Sequence, residues 1–214
     1  MTLDAVVKLG GSLIAEPVLP ALLQSLADLA KTRRLVVVPG GGPFADAVRE
    51  ACQQRDPGPS AAHWMAILAM DQHAHLLAGL LPEAGLTSDP HDAQEIAASR
   101  RLAVLAPFAW LRRADPLPHG WHVTSDSIAA WVAAELGAER LVLLKSVEGL
   151  CDADGALVPR ADAARASVSN LVDAHFPRAL APDVECWTLS GRHPDRLLEL
   201  LTEGRTRGTR ISIW

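Results

Sequence analysis

The sequence predicts an α/β fold in which helices pack on a mainly parallel sheet. The first fifty residues alternate strand-like apolar runs with helix-like segments, and a glycine-rich loop follows each of the first two runs. The run 35–38 is continuously apolar, as expected of a strand that is covered on both faces. Alternation of this kind is typical of a parallel sheet with crossover helices.

The N-terminal elements follow one another in regular order. We predict a strand over 5–9 and a helix over 20–31, where leucines recur at helical spacing. A second helix is expected to begin near Phe44, after the second strand. A third is expected over about 61–81, with Ser60 as its N-cap residue.

The C-terminal half gives fewer signals, and we expect Asp92 to cap a short helix there. The strongest pattern is the helix predicted over 125–136, which Gly137 ends. The other expected elements are strands over 102–105, 141–144, 184–189 and 210–213, and a helix over 194–202.

The composition excludes several classes of protein. A chain of 214 residues is one domain by length and needs no disulfide or metal to build its core. The net charge is −5 and the arginines are scattered, so we expect no nucleic-acid partner. The apolar stretch 61–81 contains an aspartate and three histidines, which argues against a membrane span. No secretory signal pattern is visible, and we expect a cytoplasmic location.

Two glycine loops, Gly10-Gly11-Ser12 and Gly40-Gly41-Gly42, directly follow predicted strands. Glycine lets backbone N–H groups approach a ligand closely, and a helix N-terminus after such a loop favours phosphate. Neither loop has the spacing of a P-loop or of a dinucleotide-binding motif. Two such loops meeting at the carboxyl ends of parallel strands predict a phosphate site. Two plain tight turns remain the alternative.

The chain has only three lysines against 17 arginines, and two of the lysines end predicted strands. Lys8 precedes the first glycine loop, where an ammonium group could stabilise charge on a transferring phosphoryl group. The alternative is a lysine at a solvated strand end. Asp126 at a helix start could organise such cations, or it could simply cap the helix.

Several segments taken together resemble the amino acid kinase superfamily, which includes acetylglutamate, uridylate and isopentenyl phosphate kinases. The segments are VVKLGGSLI, VVVPGGGPFADAVRE and VTSDSIAAWVAAELGAERLVLLKSVEGL. The resemblance implies a three-layer αβα sandwich and a small-molecule kinase that uses ATP and Mg²⁺. It also implies a single domain over 1–214, with an acceptor-side lobe over about 1–122 and a nucleotide-side lobe over about 123–214.

The resemblance further implies roles for individual residues. Lys8 and Asp126 match catalytic positions, with Asp126 orienting the catalytic lysines. The positions matched to ATP and its phosphates are Lys8, Gly10, Gly11, Ser12, Lys145, Ser146, Gly149 and Asp152. The positions expected at the acceptor are Gly40, Gly41, Gly42, Thr124 and Ser125.

The acceptor is suggested by the segments AAHWMAILAMDQ and SDSIAAW. They resemble a branch of the superfamily that converts (5-(aminomethyl)furan-3-yl)methyl phosphate to its diphosphate in methanofuran-type cofactor biosynthesis. Its ammonium group needs a carboxylate or an aromatic face, for which Asp71, Trp64 and Asp46 are candidates. Trp64 could instead belong to the core or to a dimer interface. His73 and His75 point to different sides of a helix, so we expect no metal site.

Three readings of function stay open at this point. The first is a kinase for the aminomethylfuran phosphate, and the second is a kinase for another small carboxylate or phosphate monoester. The third is a non-catalytic nucleotide- or oxyanion-binding or storage protein of the same fold. For any of them we expect a homodimer or a higher homo-oligomer, with the 61–81 helix suited to the interface.

Overall fold

The computed structural model describes residues 2–213, which form one eight-stranded sheet. The strand order across the sheet is β3-β4-β2-β1-β5-β7-β8-β6. All described pairings are parallel except that of β7 with β8. The strands are β1 Ala5–Leu9, β2 Leu35–Pro39, β3 Gly85–Thr87, β4 Ala103–Leu105, β5 Arg140–Lys145, β6 Arg160–Asp162, β7 Glu185–Ser190 and β8 Thr209–Ser212.

Helices cover both faces of the sheet, which confirms the predicted α/β class and its three layers. Alternation along the strands separates two cores, because Val6 and Leu141 face one side while Val7 and Val142 face the other. The helices are α1 Leu19–Ala30, α2 Gly42–Arg55, α3 Pro59–Leu80, α4 Pro90–Ala98, α5 Phe108–Ala114, α6 Ser125–Glu135, α7 Ala163–Val168, α8 Phe176–Ala179 and α9 Asp195–Glu203. Within residues 2–213, none of them has the length and apolar character that a membrane crossing requires.

The centre of the sheet places four strand ends side by side. Lys8 of β1 pairs in register with Val38 of β2 on one side and Leu143 of β5 on the other. Lys145 at the end of β5 pairs with Ser190 at the end of β7. Open α/β sheets bind ligands where the strand order changes direction, and β1 lies at such a point. The fold therefore brings the predicted site residues to one edge.

Two predicted helix caps are wrong, and each is displaced by a few residues. Helix α3 begins at Pro59 with Gly58 as its N-cap residue, because proline already has the backbone angle of a first helical residue and Ser60 lies inside the helix. Helix α4 is capped by Asp89, whose carboxylate accepts hydrogen bonds from the backbone amides of His91 and Asp92. Strands β3 and β6 were not predicted, because each has three residues and no apolar run, whereas the equally short β4 lies within the apolar run 102–106.

Candidate active site

Lys8, Asp126 and Lys145 form a buried cluster at the carboxyl ends of β1 and β5. The Nζ atom of Lys8 lies 3.0 Å from Oδ1 of Asp126, and Nζ of Lys145 donates a hydrogen bond of 2.7 Å to Oδ2. Each lysine thus contacts a different oxygen atom of the Asp126 carboxylate. Asp126 lies in the first turn of α6, and Thr124 is the residue that caps the helix. Thr124, and not Asp126, therefore has the helix-capping role that was the alternative for Asp126.

The electrostatics of the cluster follow from its burial and from its two-to-one charge ratio. Burial alone would raise the pKa of Asp126, but the charges of Lys8 and Lys145 hold that pKa below its ordinary value of 3.8. Burial lowers the pKa of Lys145, and the nearby charge of Lys8 lowers it further against the pull of Asp126. An anionic ligand beside both lysines would relieve the excess of positive charge.

The two glycine loops contact each other directly above this cluster. A Cβ atom on Gly11 would lie 2.3 Å from the backbone nitrogen of Gly42, and one on Gly40 would lie 2.8 Å from that of Gly11. Only residues without a side chain permit this approach. The amide of Gly10 donates to the carbonyl of Leu144 at 2.8 Å, which ties the first loop to β5. Glycine is therefore required at these positions for the two loops to pack together, which would not be so in two separate tight turns.

Other predicted donor-side residues lie along the same edge. Ser12 donates a side-chain hydrogen bond of 3.2 Å to Ser146, directly after β5. Gly149 packs against Thr209 of β8 and lines a surface pocket together with Ser146. Asp152 lies outside that pocket, since its carboxylate accepts hydrogen bonds from Asp154 and Ala156 within its own exposed turn.

Asp173 is an important residue of this region that the sequence interpretation missed. Its Oδ2 atom accepts hydrogen bonds from the amide and hydroxyl of Thr124 and from the amide of Ser127. Its Oδ1 atom accepts from the Ser127 hydroxyl and from the amides of His175 and Phe176. One carboxylate thus fixes the first turn of α6, which carries Asp126. In the sequence, the available signal for this role was an aspartate in a segment that has no periodic hydrophobic pattern.

His73 supports the second glycine loop from behind. Its side chain is fully buried, and Nδ1 lies 2.5 Å from the carbonyl oxygen of Gly40, to which it donates a hydrogen bond. Burial lowers the pKa of His73, and the charge of Lys8 acts in the same direction. His75 is exposed on α3, so the two histidines do face different sides of the helix.

A cavity lies beside the second glycine loop, between α2, α3 and the start of α6. Its wall is mostly apolar, with Ile67, Met70 and Ile128, and it also includes Thr124 and Ser125 as predicted for the acceptor. A neighbouring cleft that contains Gly11, Ser12 and Gly42 shares several of its lining residues. These two spaces adjoin each other and are partly open to solvent, and together they link the first glycine loop with the acceptor side.

Trp64 and Asp71 lie outside that cavity, among the residues that the structure describes. The Trp64 ring packs edge-on against Phe108, and the guanidinium of Arg112 lies 4.9 Å from its centroid. The carboxylate of Asp71 accepts a hydrogen bond of 3.0 Å from the Phe108 amide. The structure thus assigns both residues to the junction of α3 with α5, because their positions on α3 turn them away from the glycine loops.

Comparison with known proteins decides the family. The amino acid kinase family matches residues 5–171 of this chain. The chain belongs to the amino acid kinase family. It is 30% identical over 210 residues to the [5-(aminomethyl)furan-3-yl]methyl phosphate kinase of Methanocaldococcus jannaschii, covering 94% of this chain and 93% of the relative. It is also 34% identical over 97 residues to the acetylglutamate kinase of Granulibacter bethesdensis, covering 39% of this chain and 32% of the relative.

Solved structures agree on the amino acid kinase fold. The uridylate kinase of Archaeoglobus fulgidus superimposes with a TM-score of 0.74 at 19% identity, covering 98% of this chain and all of that one. The UMP kinase of Ureaplasma parvum gives a TM-score of 0.75 at 16% identity, covering 97% and 98%. The family match and the relative from M. jannaschii show that the chain is a small-molecule kinase, as the resemblance of its motifs implied.

Proposed function

We propose that this amino acid kinase transfers the γ-phosphoryl group of ATP to (5-(aminomethyl)furan-3-yl)methyl phosphate and releases the diphosphate. The observation that carries this proposal is that the cleft at the two glycine loops shares its lining with a mostly apolar cavity, next to the helix start that carries Asp126. The relative from M. jannaschii, similar along nearly its whole length, supports the choice of acceptor.

The donor side fits the phosphates of ATP. Two ammonium groups share one carboxylate in the cluster, so a phosphate oxyanion would supply the missing negative charge. The backbone amides of Gly11 and Ser12 lie just beyond β1, where they can donate to phosphate oxygens, while the amide of Gly10 is taken by the Leu144 carbonyl. Mg²⁺, if bound with ATP, would supply further neutralisation of the phosphate charge. We assign Ser146 and Gly149 to the nucleotide side.

Phosphoryl transfer at this site requires positioning and charge neutralisation. Lys8 neutralises charge that develops on the transferring group, and Lys145 neutralises charge on the donor phosphates. Asp126 holds both ammonium groups in place and touches neither substrate in this role. The attacking oxygen of a phosphate monoester is already ionised, so the reaction needs no general base.

The acceptor side offers a cation and an apolar wall. Arg49 lines both the cavity and the cleft, so its guanidinium can hold the acceptor phosphate between the loops. The same phosphate-binding end of the acceptor site also includes Thr124, Ser125 and the second glycine loop. Ile67 and Met70 face the position that a flat ring would take.

We also infer a homo-oligomer, located in the cytoplasm, in which α3 lies at the interface. Leu68, Leu76 and Leu80 of α3 are 41%, 37% and 54% exposed and fall on one side of the helix. The division into an acceptor-side lobe over 1–122 and a nucleotide-side lobe over 123–214 is part of the same proposal. Sedimentation of the purified chain would test the assembly.

The proposed activity is tested by incubating the purified chain with ATP, Mg²⁺ and each of several acceptors. We expect the furan diphosphate to form, detected by mass spectrometry and by ³¹P NMR. UMP, N-acetylglutamate and isopentenyl phosphate serve as competing acceptors. Faster turnover of any of these three, at equal concentration, would contradict the proposed acceptor. Absence of ATP binding would contradict the donor assignment.

A further inference from the structure

The acceptor-side cavity has two chemically different ends. Gly41, Arg49 and Ser125 also line the cleft at the glycine loops, so they mark the end at which phosphoryl transfer occurs. His63 lines the cavity but not the cleft, so it marks the far end, whereas the Trp121 ring lies 5.4 Å from the Arg49 guanidinium and belongs with the loop end. An acceptor with its phosphate at the loops would extend its opposite end toward His63.

His63 is a buried polar side chain with an unused hydrogen-bonding capacity. It is only 6% exposed and lines the cavity, yet no residue among 2–213 hydrogen-bonds to its ring nitrogens. Its ring stacks on that of His119 with centroids 4.6 Å apart and planes inclined by 18°. Neither ring nitrogen is fully buried, so they are accessible from the cavity that the ring lines. A ring nitrogen that opens onto a cavity without a protein partner can bind a ligand there.

The surroundings of His63 keep its imidazole neutral. Burial lowers the pKa of His63 to about 4, with the neighbouring His119 and His122 acting in the same direction and Asp115 opposing them. Asp115 is itself paired with His119 at 2.8 Å. A neutral imidazole carries one nitrogen that accepts a hydrogen bond and one that donates. Near neutral pH, His63 therefore offers an accepting lone pair.

We propose that His63 accepts a hydrogen bond from an amino group at the far end of the acceptor. The cavity would then select molecules that carry a phosphate and an amine on opposite sides of a flat ring. Of the described side chains that line the cavity none is acidic, and the face of the Trp121 ring is already occupied by the Arg49 guanidinium, 5.4 Å from its centroid. Recognition of an amine at this end therefore depends on His63. The inference rests on the proposed function and adds its specificity-determining residue.

The test compares two ligands that differ only in the amine. (5-(Aminomethyl)furan-3-yl)methyl phosphate and (5-methylfuran-3-yl)methyl phosphate are titrated by calorimetry into the wild type, H63F and H75F. Phenylalanine keeps a ring that can stack on His119, and His75 is an exposed histidine of the same helix. We expect the wild type and H75F to prefer the amine by about tenfold, as one good hydrogen bond to a charged group would give. H63F should bind both ligands within about twofold.

Either of two results would overturn the role of His63: equal affinity of the wild type for both ligands, or a preference that survives in H63F. If H63F does not fold, H63Q keeps an accepting oxygen, and retained preference in H63Q supports the role. Turnover is measured separately. Tighter binding of the amine without diphosphate formation refutes the proposed reaction and leaves the role of His63 intact. Diphosphate formation without a preference for the amine in binding supports the proposed reaction and refutes the role of His63.

Discussion

The ammonium group of Lys8 lies 3.0 Å from Oδ1 of Asp126, and both side chains are less than one-tenth exposed. Lys145 occupies the other oxygen of the same carboxylate. A buried ion pair contributes little net stability, because desolvating the charges costs about as much as their attraction returns. The arrangement is better explained by the reaction, since it holds two cations at the ends of two strands where phosphate would lie.

The first prediction concerns the identity of the cation at position 8. K8R should reduce kcat by at least about 100-fold, because a planar guanidinium needs more space than the ammonium beside Asp126 and Lys145. The midpoint of thermal unfolding should change little. K31R is the matched control, since Lys31 pairs with Asp28 on the exposed surface. Near-normal turnover of K8R would show that the two cations are interchangeable here.

The second prediction concerns the shared carboxylate. D126N should abolish most of the activity and lower the free energy of unfolding by about 3–5 kcal/mol, because two buried lysines lose their partner. Urea unfolding monitored by circular dichroism measures the loss. D28N removes an exposed partner of a lysine and should have a much smaller effect. Equal effects of the two variants would contradict the special role of Asp126.

The third prediction gives the pH dependence of that stabilisation. The folded-state pKa of Asp126 lies below its ordinary value of 3.8, so the folded chain binds this proton less readily than the unfolded chain does. The contribution is therefore complete above pH 3.8 and is lost as the pH falls through the folded-state pKa. We expect the stability difference between wild type and D126N to narrow below about pH 4. A constant difference down to the lowest measurable pH would contradict this.

The sequence allowed the central cluster to be predicted because its three residues belong to regular elements. Lys8 and Lys145 end parallel strands, and Asp126 begins a helix, so topology alone brings them together. Asp173 escaped prediction because its partners lie 46 and 49 residues away and its own segment has no period. The surroundings of Asp71 could not be predicted for a related reason, since only tertiary packing shows that its carboxylate accepts a hydrogen bond from the start of α5.

The fourth prediction tests the contact between the glycine loops. G11A should lower kcat/KM by roughly 100-fold, because a Cβ atom 2.3 Å from the Gly42 nitrogen forces the loops apart by displacing backbone. G79A is the matched control, since Gly79 lies in α3 with no atom within 4 Å of an added Cβ. It should leave activity unchanged and preserve or slightly raise stability. Full activity of G11A would show that the loops do not act as one unit.

The fifth prediction concerns Asp173 as a positioning residue. In D173N, either orientation of the amide places an NH₂ group against two backbone N–H donors, those of Thr124 and Ser127 or those of His175 and Phe176. The first turn of α6 should then shift and carry Asp126 with it. We expect kcat to fall by about 10- to 100-fold while the affinity for ATP changes little.

Asp162 provides the control for this variant. Its carboxylate caps α7 by accepting a hydrogen bond of 2.7 Å from the amide of Arg165, and it makes no described contact with α6. D162N should lower stability somewhat and leave kcat unchanged. If D173N loses stability but retains the wild-type kcat, Asp173 only stabilises the fold. A fall in kcat in D173N beyond that in D162N shows that the Asp173 carboxylate sets the position of Asp126 between its two lysines.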